Sequence, residues 1–81
     1  MKPSQQYKWR VTYTANPTRQ IIASYVKLDG GTATFWNEFI EQEPNGARKY
    51  TNEMISVVPL RYVCAIDKGE TYNEMDEDIH Y

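Results

Sequence analysis

Eighty-one residues, 41% of them hydrophobic and with a net charge of −2, make one small folded domain, since a chain this short cannot support two cores. The single cysteine, Cys64, excludes an internal disulfide and a multi-thiolate metal site. The opening run MKPSQQYKWR has no apolar stretch, so neither a signal peptide nor a membrane span is expected, and Asn16-Pro17-Thr18 is disqualified as a glycosylation site by its proline; together these point to the cytoplasm.

The first element is YKWRVTYT, residues 7–14. Tyr7, Trp9, Val11 and Tyr13 alternate with Lys8, Arg10, Thr12 and Thr14, the period of a strand half-buried against a core. Trp9, Val11 and, later in the chain, Val63 are the expected core positions. Asn16-Pro17 marks a turn, because proline pushes its predecessor out of the helical region. QIIASYVKL, residues 20–28, reads as a second strand with apolar residues on both faces, a pattern that a bulge switching faces also produces.

Asp29-Gly30-Gly31 is a tight-turn signal leading into a third strand, TATFW, and hence a hairpin. The following FWNEFIEQ, residues 35–42, fits helical spacing as well, through Trp36, Phe39 and Ile40. Strand is preferred because Thr32, Thr34, Phe35 and Trp36 are strand formers and the turn invites a hairpin. Pro44-Asn45-Gly46 makes the next loop. MISVV, residues 54–58, is a fourth strand; Pro59-Leu60-Arg61 interrupts it, and Tyr62-Val63-Cys64-Ala65-Ile66 is a fifth. Five short strands joined by tight turns predict a mainly β domain, a small antiparallel barrel or sandwich, over residues 1–67.

Residues 68–81 read as an acidic C-terminal tail. Residues 1–66 hold eight bases and five acids, whereas residues 67–81 hold six acids and one base, so a mildly basic body precedes a strongly acidic end. Thr71-x-x-Glu74 has the pattern of a capping box, and Tyr72, Met75 and Ile79 fall on one helical face. So short a helix is marginal alone in water, so the expectation is a conditional helix that orders on contact with a surface.

Val58-Pro59-Leu60-Arg61-Tyr62-Val63 resembles the last turn and strand of SH3-type barrels, and the five-strand count and length agree with that fold. More loosely, the Val11–Tyr13 and Ile21–Ala23 strands, the Gly30-Gly31 turn, Phe35 and the Val63–Ile66 segment resemble small accessory proteins of actinobacterial phages. The first likeness implies an SH3-like barrel, and the second a phage or mobile-element accessory protein acting on a host or defence protein. The Ala-Leu-Tyr-Asp-Tyr run and the paired tryptophans of proline-binding SH3 domains are missing, so proline-peptide recognition is not carried over.

Catalytic chemistry finds little support. His80, the only histidine, sits beside the C-terminus. Cys64 lies between Val63 and Ala65, the setting of a buried core cysteine rather than of a nucleophile. Asp76, Glu77 and Asp78 lack the spacing of a calcium loop, and Gly30-Gly31 lacks that of a phosphate loop. No enzyme activity, metal or cofactor is expected.

Two binding functions follow. Seven Tyr, two Trp and two Phe are more rings than so small a core can enclose, which favours a protein-interaction module acting on a host protein or by self-association. Tyr25, Trp36, Tyr50, Tyr62 and Tyr72, with Met75 and Ile79 of the tail, are its candidate contacts. The alternative is an anionic ligand, single-stranded nucleic acid or a small cyclic nucleotide, held by Lys8, Arg10, Arg48, Lys49 and Arg61. The basic excess is small for a nucleic-acid protein, so the interaction module is preferred.

Overall fold

The computed structural model describes residues 2–73, which form six strands in two antiparallel three-stranded sheets. β1 (Gln6–Tyr13) is the centre of the first sheet, between β2 (Arg19–Ala23) and β6 (Val63–Tyr72). β4 (Thr32–Gln42) is the centre of the second, between β3 (Tyr25–Asp29) and β5 (Arg48–Pro59). The mainly β class is as expected, but the sheets do not close into a five-stranded barrel. No helix among the described residues is long and apolar enough to cross a membrane.

The expected single strand over residues 20–28 is two strands in different sheets, broken at Ser24. Ser24 is tied on three sides: its N–H donates to the Trp36 carbonyl (2.8 Å), its Oγ accepts from the Glu38 N–H (3.1 Å) and its hydroxyl donates to the Ser4 carbonyl (3.2 Å). The break moves the chain from one sheet to the other and resets the alternation. Ile21 and Ala23 therefore face the core before it and Val26 packs on the core after it, which is why apolar residues occur in both phases.

Residues 35–42 are strand throughout. The β3–β4 hairpin turns at Gly30 and Gly31, whose φ values of 57° and 82° are the pair of positive angles that a two-residue primed turn requires. Beyond it β4 pairs with β5 from Thr32↔Pro59 to Gln42↔Arg48, so the fourth strand begins six residues before the expected Met54. One extra residue, Ile55, bulges where the register shifts between Phe35 and Trp36. Pro59-Leu60-Arg61 interrupts the chain as expected, as a 3-10 turn over Leu60–Tyr62.

The core is small because the molecule is flat, 50 × 40 × 14 Å. Val11, Ile21 and Ala23 from the first sheet meet Ala33, Phe35 and Val58 from the second, with Trp9, Tyr13, Val26 and Val63 partly buried around them. Val11 is fully buried as expected, whereas Trp9 and Val63 line the core rather than fill it. The Trp9 indole N–H donates to the Ala23 carbonyl (3.0 Å), so the ring packs without leaving its donor unpaired.

Two expectations at the end of the chain are overturned. Cys64 is exposed, not core. It is the extra residue of a β-bulge, because Ala65 pairs with Thr12 and Val63 with Tyr13, and the bulge turns it out of the inward alternation. Thr71 and Tyr72 are strand residues opposite Tyr7 and Gln6, so Thr71 is no helix cap and residues 68–72 extend the sheet rather than the tail. Met75 and Ile79 lie outside the described residues.

Candidate interaction surface

Strand alternation decides what each sheet shows to solvent. Along β4, Ala33, Phe35 and Asn37 are buried, so Thr34, Trp36, Glu38 and Ile40 point to the opposite, outer face. Residues directly opposite in an antiparallel ladder share a face. Tyr25 and Met54 therefore join Trp36, Tyr50 joins Ile40, and Val57 joins Thr34.

The outer face of the second sheet thus carries Tyr25, Trp36, Ile40, Tyr50, Met54 and Val57. Tyr50, Met54 and Val57 are 57%, 55% and 50% exposed, where an outward-facing strand position is ordinarily polar. The Tyr25 hydroxyl donates to Asn52 Oδ1 (3.1 Å), fixing its ring across β4 towards β5. Trp36 is half-buried, and its Nε1–H is buried with no acceptor among the described residues. An orphaned donor of this kind costs about 1–3 kcal/mol.

Three of the expected contact residues, Tyr25, Trp36 and Tyr50, are thereby brought onto one face. Tyr62 is not among them: it sits on the 3-10 turn with the Arg61 guanidinium 5.1 Å over its ring. Tyr72 is half-buried in the first sheet. Ile40, Met54 and Val57 were missed. The Ile55 bulge puts Met54 and Val57 on the same face although they are three apart, so a strict period of two separates them. Only the pairing with Trp36 and Thr34 joins them.

The basic residues are scattered more widely. Lys8 and Arg10 lie on the first sheet, in a concavity of about 550 Å³ that Thr18, Arg19, Gln20, Asp67 and Glu70 also line. Lys8 is paired there with Glu70 (3.3 Å), while the guanidinium groups of Arg10 and Arg19 make no ion pair or hydrogen bond among the described residues. Lys68 also lines the concavity, with its ammonium 3.8 Å from the centre of the Tyr7 ring. Arg48 and Lys49 begin β5 at the far end of the second sheet, and Arg61 is in the 3-10 turn. The five residues expected to form one anion site occupy three places.

Among the described residues no group of three or more His, Cys, Asp or Glu is placed to hold a metal ion. Comparison with known proteins finds no matching family model, no similar curated protein and no similar solved structure.

Proposed function

We propose that this chain is a non-catalytic binding module that acts by protein–protein interaction through the outer face of the β3-β4-β5 sheet. The observation that carries the reading is the presence of Tyr25, Trp36, Ile40, Tyr50, Met54 and Val57 on one solvent-facing surface, with Glu38 and Asn52 between its two ends. Apolar side chains gathered on an exposed face gain free energy when a partner removes them from water, by about 25 cal/mol per Å² covered. Tyr, Trp and Met are also the residue types enriched at the centres of interfaces. The resemblance to phage accessory proteins makes a host protein the first partner class to test.

The test is capture from lysate by the full chain and by an Ile40→Asp/Val57→Asp variant, each with nuclease and at high salt. Both positions are exposed, 39% and 50%, so the variant keeps its fold, which circular dichroism verifies. The reading expects capture that survives nuclease and salt and is lost in the variant. Equal capture by the two proteins, or none by either, overturns it.

A second reading is favoured by the guanidinium groups of Arg10 and Arg19, which are unpaired among the described residues: a small phosphate-bearing ligand in the concavity of the first sheet. Asp67 and Glu70 in the same concavity oppose an anion, which is why it stands second. Binding that weakens steeply with salt and is lost in Arg10→Glu is its signature.

A further inference from the structure

The second sheet ends on β5, whose outward edge carries no strand among the described residues. All but two of its 12 residues are exposed, the exceptions being Ser56 and Val58. An edge of this length presents a row of unpaired backbone amides and carbonyls, a template for another strand. Its regular stretch runs from Arg48, where pairing with β4 ends, to Met54, where the Ile55 bulge begins. Thr51 is the midpoint of that stretch.

We propose that β5 pairs antiparallel with β5 of a second copy of this chain, about a two-fold axis at Thr51, so that two three-stranded sheets become one six-stranded sheet. Only the register centred on Thr51 pairs the whole stretch with itself. It sets Arg48 opposite Met54, Lys49 opposite Glu53 and Tyr50 opposite Asn52, each twice by symmetry. Lys49 and Glu53 are exposed and make no ion pair within the chain among the described residues; on the β4 side they stand opposite Glu41 and Asn37, and on the open side each can meet its opposite in the other copy.

The same two charges select against neighbouring registers. Centring the axis on residue 49 or 53 sets Lys49 against Lys49, or Glu53 against Glu53, at the heart of the interface. Centring it on residue 50 or 52 leaves both charges without an opposite. Basic residues on an edge ordinarily repel an incoming strand; here the acid four residues on makes the edge accept one strand in one register. The argument rests on the edge and its charges, not on the outer face, although pairing would bring Tyr50 and Met54 of both copies onto one continuous surface.

The test is the mass of the full chain in solution, by light scattering and sedimentation equilibrium across a concentration series, for four proteins: wild type, Lys49→Glu, Glu53→Lys and the double exchange. Wild type should dimerise. Each single change places two like-charge pairs in the interface and should weaken the dimer about tenfold or more. The double exchange recreates both pairs with reversed polarity and should return the dissociation constant to within about threefold of wild type. Circular dichroism checks that all four are folded. A wild type that stays monomeric throughout overturns the proposal, and so does a dimer indifferent to the single changes or not rescued by the double exchange. Because residues 40 and 57 lie outside the paired stretch, loss of capture in Ile40→Asp/Val57→Asp with an intact dimer sinks neither claim, whereas a charge-indifferent dimer sinks this one alone.

Discussion

The rings of Trp9 and Phe35 meet edge to face, with centroids 6.1 Å apart and planes at 66°. Trp9 belongs to the first sheet and Phe35 to the second, so this contact joins the two layers, and Tyr7 continues it outward with a second edge-on contact at 6.3 Å. Phe35 is also the largest fully buried side chain. Phe35→Ala should therefore lose about 3–5 kcal/mol, the ordinary cost of an aromatic-sized cavity in a core. In a double-mutant cycle of Trp9→Leu and Phe35→Leu, the ring pair should show about 0.5–1.5 kcal/mol of coupling in urea unfolding. Purely additive effects would mean that the two rings merely fill space.

Gly69 faces Lys8 where β6 shifts register against β1, and a Cβ there would run into the Lys8 carbonyl oxygen. That obstacle is backbone inside a ladder, so it cannot swing away. Gly69→Ala should destabilise by about 1–3 kcal/mol, like other overpacking changes. Glu70→Ala next to it loses only an exposed ion pair with Lys8 and should change stability by less than about 1 kcal/mol. Thermal melts that rank the two variants the other way would show that the strands separate at this point.

Cys64 stands exposed on its bulge, so its thiol should react fully with a thiol reagent under native conditions, at a rate that added denaturant below the unfolding transition does not raise. Cys64→Ser should leave the melting curve within about 0.5 kcal/mol of wild type, as surface substitutions do. A thiol protected until global unfolding would return it to the core.

Local chemistry was enough for the elements whose determinants are neighbours in the chain. The alternation from Tyr7 to Tyr13 makes β1 and buries Val11, and the two glycines after Asp29 make the primed turn. The strand formers at Thr32–Trp36 identify β4 because β-branched and aromatic side chains suit a pleated half-buried surface whatever they pair with. Even the double-phase run of residues 20–28 carried its signal, as a pattern that one straight strand does not satisfy.

The tertiary structure alone decided everything that depends on pairing between distant segments. Whether Cys64 faces inward depends on a one-residue bulge against Thr12 and Tyr13, and a slip of one residue exchanges the two faces of a strand. Thr71 can cap a helix or extend a ladder; Tyr7, 64 positions earlier, settles it as ladder. The assembly of Tyr25, Trp36, Tyr50 and Met54 on one surface likewise follows from the ladders of β4 with β3 and β5, not from their spacing. Composition and periodicity say which side chains are available to a sheet, but backbone hydrogen bonds carry no side-chain identity, so register and bulges decide which of them share a face.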